Sequence, residues 1–138
     1  MFSLLRHRVC VGIGINDKEL SDDKDFIEEM RLVSKLHRIT SYRLNSDHLL
    51  PVDAFRTGTV DGAKCIGYED MAGSLEPGKK ADLVLLDLHW MTEPFCAPHI
   101  SAVDLSIYRR LAPDVDTVLI DGEVVLRDVV PPVSIVMR

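Results

Sequence analysis

The stretch "VDTVLIDGEVVLRD", residues 115 to 128, constrains the fold more than any other part of this chain. Two apolar runs rich in β-branched residues flank an Asp121–Gly122 pair. A two-residue hairpin turn needs positive φ at its central positions, and Asp and Gly accept that conformation at low cost. The spacing therefore predicts an antiparallel hairpin with strands 115–120 and 123–127. Before it, "GSLEPGKKADLVLLDL" holds a Pro77–Gly78 turn and a basic pair that lead into an apolar strand from Ala81 to Leu88.

Upstream the periodicity changes. Residues 22–38, "DDKDFIEEMRLVSKLHR", place Phe26, Met30, Val33 and Leu36, with Ile27, at helical spacing. Asp22, Asp23 and Asp25 fall in the first turn, and Lys35, His37 and Arg38 in the last, which complements the helix dipole. Ser21 or Asp22 suits the N-cap. A second helix is expected from Pro51 to Ile66, with Pro51 at its first position and Gly67 just past its end. Val52, Phe55, Val60 and Ala63 would face inward, while Gly58 and Gly62 suggest close packing. A short helix is expected to start near Ser101 in "SAVDLSIYRRLA". Val9 to Ile15 reads as a short strand buried on both faces, as in a parallel sheet. Gly12 and Gly14 weaken that strand. The tail, residues 131–138, is too short and proline-rich to classify.

Composition excludes several functions. The chain has 138 residues, a net charge of −6 and a pI near 5.3, with no basic stripe, so nucleic acid is not an expected partner. No apolar run approaches the roughly 18 residues needed to span a bilayer, and no membrane association is expected. The start, "MFSLLRHRVCVGIGI", lacks the leading charges and small-residue cleavage site of a signal peptide and reads as a helix end feeding a strand. Cys10, Cys65 and Cys96 are odd in number and far apart, without a CxxC pair. They read as buried, reduced thiols in a cytoplasmic protein.

Taken together, "VGIGIND…DDKDFIEEMRLVSKLHR", "VDGAKCIGYEDMAGSLEPGKKADLVLLDL" and "VDTVLIDGEVVLRD" resemble the C-terminal third of an amidohydrolase-superfamily enzyme. The branch they are most similar to is the chlorohydrolase, cytosine-deaminase and S-adenosylhomocysteine-deaminase type. The resemblance runs from about Val9 to Asp128. It implies a mixed α/β (α+β) chain: a truncated remnant of a (β/α)₈ barrel, comprising its last strand and helices, plus the C-terminal half of a composite β-sandwich. Residues 1–73 would be the barrel remnant and residues 74–138 the sandwich half, together one compact unit.

The same resemblance implies hydrolysis of non-peptide C–N or C–Cl bonds by metal-activated water, with zinc or iron in full-length members. There, an HxH pair and two later histidines supply most ligands. The histidines of this chain, His7, His37, His48, His89 and His99, form no such pair. The family's last barrel strand ends in an Asp that binds metal and handles the proton of the attacking water. Asn16 stands at that position here, with Asp17 adjacent. An amide has no basic lone pair and no charge, and a one-residue shift on a strand turns a side chain to the other face. No cofactor is therefore expected for this chain alone, which is expected to be inactive by itself. The alternative is an oligomerisation or binding module that forms a homodimer or pairs with a separate chain carrying the rest of the barrel. The acidic run Asp22, Asp23, Asp25 lacks an EF-hand pattern and reads as helix-capping charge. Lys79 and Lys80 read as a solvated turn rather than an anion site. Gly12 and Gly14 begin no GxGxxG motif.

Overall fold

The long amphipathic segment forms helix α1, Phe26–Leu44, in the computed structural model, which describes residues 4–5, 7, 9–15, 25–44 and 47–127. Met30 faces the core from it. The helix runs on past the expected end at Arg38, because Ser41 on its last turns is buried and bonded to the chain that follows: Ser41 Oγ donates to the Asp47 carbonyl at 3.0 Å. Lys35, His37 and Arg38 thus lie within the helix rather than at its end. At the other end Asp25 is the cap, with Oδ1 accepting from the backbone N–H of Ile27 at 3.0 Å and of Glu28 at 3.3 Å. Ser21, Asp22 and Asp23 lie outside the described residues, as does the tail.

The second expected helix is two. Helix α2, Pro51–Gly58, and helix α3, Val60–Cys65, meet at Thr59, whose φ of −126° and ψ of −99° leave helical space. That break ends the single periodicity on which the inward face was assigned. Ala63 is buried as expected, but Val52 and Val60 are exposed, and Ala54 and Thr57 take the buried side of α2. The core is centred on Met30, Leu49, Ala54 and Ile107, with Ile13, Phe26, Val33 and Phe55 packed around it. Ile107 comes from helix α5, Ala102–Tyr108, which packs on α1 and α2. Its start is fixed by a capping box: Asp104 N–H donates to Ser101 Oγ at 3.1 Å, and Ser101 N–H donates to Asp104 Oδ2 at 3.3 Å.

The sheet has three strands in the order β1-β2-β3, all antiparallel: β1 Leu83–Leu86, β2 Val115–Ile120 and β3 Glu123–Arg127. The hairpin has the bounds the sequence predicts, with φ of 53° at Asp121 and 82° at Gly122. The upstream strand is shorter than expected. Asp87 caps a short helix α4, Leu88–Thr92, by accepting from His89 N–H at 2.8 Å, which takes Leu88 out of the strand. Residues 80–82 clasp the hairpin turn: Gly122 N–H donates to the Ala81 carbonyl at 3.0 Å, and Asp121 N–H to Asp82 Oδ1 at 2.7 Å. Lys80 Nζ adds an ion pair to Asp121 at 2.9 Å.

Residues 9–15 do not form a strand of a sheet. Among the described residues they run without a ladder partner, tied across by Ile13 N–H donating to the Thr57 carbonyl at 3.1 Å. Val9 and Ile15 are 47% and 44% exposed, so the expectation of burial on both faces fails. A parallel strand acquires that burial from neighbours on both edges, and here one helix pair covers one side.

Candidate functional site

The extended run 9–15 leads to the position at which the resemblance sets the family's metal and proton-transfer Asp and this chain has Asn16, with Asp17 adjacent. Asn16 and Asp17 themselves lie outside the described residues. The run lies against α2 and α3 because glycines let the backbones approach: a β-carbon on Gly12 would sit 3.3 Å from Gly62 Cα. Beside this contact is an open cleft of about 430 Å³, lined by Gly12, Ile13, Gly14, Gly58, Gly62 and Cys65 among others. Among the described residues Cys65 is the titratable side chain on that wall. General acid–base chemistry needs a carboxylate, imidazole or similar group within hydrogen-bond reach of the reacting atom, and the described lining offers none.

Histidines do not gather elsewhere. His37 lies within α1, where Nδ1 accepts from the buried Leu49 N–H at 3.2 Å and sits 3.1 Å from Ser41 Oγ. Burial depresses its pKa below the ordinary 6.5. The His89 ring stands edge-on to Trp90, with centroids 5.0 Å apart. Among the described residues no three His, Cys, Asp or Glu side chains come together to hold a metal ion. The described residues therefore do not fit the metal that the sequence resemblance implies.

Asp25, from the acidic run, has a structural task. Its second oxygen pairs with the buried Arg110, at the C-terminal end of α5. Burial alone would raise its pKa, but the hydrogen bond and charge of Arg110, with the N–H groups of Glu28 and Ile27, outweigh it and hold the carboxyl below the ordinary 3.8. Arg31 completes the link, its Nε donating to the Ile107 carbonyl at 2.6 Å and its Nη2 to the Arg110 carbonyl. Lys79 is likewise engaged within the chain, 2.7 Å from Ser74 Oγ and 3.4 Å from Glu76.

The cysteines differ most from expectation. Cys10 and Cys65 are exposed rather than buried, and Cys96 is half-buried. Cys10 Sγ donates to the Asp61 carbonyl at 3.3 Å. The Cys65 thiol is pushed up to about 11, first by its hydrogen bond with the Cys10 thiol. Sequence reasoning missed this pair, because no shared motif links positions 10 and 65: the glycine-mediated approach of residue 12 to residue 62 brings them together.

Residues 4–125 match the model of the amidohydrolase family. The chain is 38% identical over 126 residues to an S-triazine hydrolase of Gordonia rubripertincta, covering 91% of this chain and 25% of that protein. It is 37% identical over 125 residues to a 5-methylthioadenosine/S-adenosylhomocysteine deaminase of Pelotomaculum thermopropionicum, covering 89% and 27%. Its structure superposes on a zinc-bound adenosine deaminase of Xanthomonas campestris with a TM-score of 0.75 at 28% identity, covering 91% of this chain and 27% of that one. The chain thus spans about a quarter of the length of these relatives. Among the described residues no helix is long and apolar enough to cross a membrane.

Proposed function

We propose, from the premise that this chain belongs to the amidohydrolase family, that it forms the C-terminal part of a hydrolase and does not turn over substrate by itself. The reaction class is metal-dependent hydrolysis of a non-peptide C–N or C–Cl bond. The substrate class is a nitrogen-rich heteroaromatic ring bearing an amino or halide leaving group, by analogy with the triazine hydrolase and adenosine-derivative deaminases it is similar to. The observation that carries this reading is the lopsided coverage: about nine-tenths of this chain matches about a quarter of each relative. In this reading α1 to α3 and residues 9–15 belong to a barrel remnant, and the three-stranded sheet is half of a composite sandwich.

Ligand chemistry supports the inactivity. A hydrolytic zinc site takes about three protein ligands and leaves a position for water, and the described residues assemble no such set. Asn16, at the position of the family's Asp, carries an amide that accepts no proton at neutral pH. The test is to load the purified chain with zinc, remove the excess, and measure bound metal and release of ammonia from 5′-deoxyadenosine and an aminotriazine. Sub-stoichiometric metal and no turnover are expected from this chain alone, and a stable complex is expected when a chain carrying the missing barrel strands is added. Stoichiometric zinc with turnover by this chain alone would refute the inactive reading; failure of the added chain to bind would refute the assignment as part of a larger barrel.

A second reading, association with a copy of itself, is favoured by one specific feature. Every residue of β3 is exposed, including Val124, Val125 and Leu126, and so are Val84, Leu85 and Ile120 on the neighbouring strands. Apolar edge strands left open invite pairing. Light scattering across a concentration series decides it: a growing dimer fraction supports self-association, and a monomer throughout rules it out.

A further inference from the structure

We propose that Cys10 and Cys65 form an oxidisable dithiol that closes reversibly into an intramolecular disulfide by exchange with a low-molecular-weight disulfide such as oxidised glutathione. The placement of the two thiols carries the argument. Cys10 Sγ reaches the carbonyl of Asp61, which lies one helical turn before Cys65, so Asp61 and Cys65 share a face of α3. In an extended run, residues 10 and 12 also share a face. A β-carbon on Gly12 would stand 3.7 Å from both Cβ and Sγ of Cys65. The face of the run that carries Cys10 is therefore the one against Cys65. A bridge needs β-carbons about 4 Å apart, and the contact of the run with α3 sets Cys10 and Cys65 on facing surfaces.

Access meets the second. Both cysteines are exposed, and the cleft bounded by Gly12, Gly14, Gly62 and Cys65 leaves room beside them for the outgoing half of a small disulfide. Cys96 is half-buried, with its sulfur turned to the neighbouring Ala97 carbonyl.

The exchange balances without another reactant. Cys10, as thiolate, attacks one sulfur of the small disulfide and expels the other half as a thiolate. Cys65 then attacks Cys10 Sγ and expels the second half. The two protein thiols are oxidised to one disulfide, the small disulfide is reduced to two thiols, and the protons leaving Cys10 and Cys65 end on those thiols. Cys65 is the resolving partner. Its proton is held while Cys10 is free, and that restraint is relieved once Cys10 is tied up as a mixed disulfide.

The test equilibrates the 138-residue chain in glutathione buffers of graded ratio, quenches with acid, alkylates, and maps the peptides. A linked Cys10–Cys65 peptide with Cys96 still alkylated is expected. Half-oxidation should need roughly tenfold less oxidised glutathione than the same chain in urea, because folding raises the effective concentration of one thiol at the other. Cys65→Ser should accumulate glutathione on Cys10 without closure, and Cys96→Ser should behave as the parent. Equal half-oxidation ratios in folded and unfolded chain, a bridge that includes Cys96, or only intermolecular bridges would overturn the proposal. The measurement on the parent chain stands even if a variant folds poorly.

Discussion

Replacing Asp25 separates two contributions that one carboxylate makes to the fold. One oxygen caps α1 through the N–H groups of Ile27 and Glu28, and the other pairs with Arg110. Arg110 is 2% exposed, and its Nε has no hydrogen-bond partner among the described residues, so its charge leans on Asp25. Removing one member of a fully buried pair costs about 3–5 kcal/mol because the other charge is left uncompensated. The Asp25 side chain is 19% exposed, so water reaches one side of the pair, and the lower figure of about 2–3 kcal/mol applies to Asp25→Asn. Asn caps helices as well as Asp does, so the cap survives that change; Asp25→Ala loses it too, for about 1 kcal/mol more. Urea unfolding followed by circular dichroism measures both, with the denaturant slope unchanged. The pH dependence gives an independent check. The folded pKa of Asp25 lies below 3.8, so its contribution is fully present above 3.8 and is lost as pH falls through the folded value. Asp25→Asn should lack that component of acid destabilisation. An Asp25→Asn chain within about 0.5 kcal/mol of the parent, or an Asp25→Ala chain no weaker than Asp25→Asn, would refute this account.

Two further outcomes follow from the same packing. His37 accepts from the Leu49 N–H as a neutral imidazole and has a folded pKa below 6.5; its stabilisation is complete above 6.5 and lost as pH falls toward the folded value. Urea midpoints measured from pH 7.5 to about pH 5 should therefore fall, and His37→Gln should flatten that slope; an unchanged slope would exclude His37 as its source. Gly73→Ala should destabilise by about 2 kcal/mol or more, since φ is +93° and the new carbon would lie 2.8 Å from Ala63 Cβ and 3.1 Å from the Thr59 carbonyl. A thermal midpoint equal to the parent's would show that the 59–63 turn and residue 73 are not held together as described.

What was legible in the sequence follows the range of the forces involved. The hairpin was legible to its end residues because turn chemistry acts over two residues, Asp121 and Gly122. The family was legible because its motifs are contiguous. The division of the second helix at Thr59 was not, because contacts between distant segments decide it: Thr57 gives its carbonyl to Ile13, and Gly58 lies so close to Met30 that an added carbon would sit 2.6 Å from its sulfur. Arg31 and Arg110 carried no signal of burial, since charged side chains are buried only when tertiary structure supplies partners. The strand reading of residues 9–15 erred for a related reason. Local composition shows that a segment can be a strand, but not that ladder partners stand beside it.

That last error bears on function. The described residues divide into a helical half with a core and a sheet without one. Ala54 and Ile107 are fully buried where α1, α2 and α5 meet, while β3 leaves Val124, Val125 and Leu126 about half exposed. A three-stranded sheet is stable on its own account only when one apolar face is covered. Residues 80–82 fasten the hairpin turn by one backbone hydrogen bond, one from the Asp121 N–H to the Asp82 carboxylate and one ion pair, which fixes its register but buries little apolar area. The described residues supply no apolar cover for β3. A further sandwich half and a second copy of this chain are the two sources that the proposed reading allows, and both predict that Val125→Lys weakens assembly while leaving the helical core's unfolding midpoint unchanged.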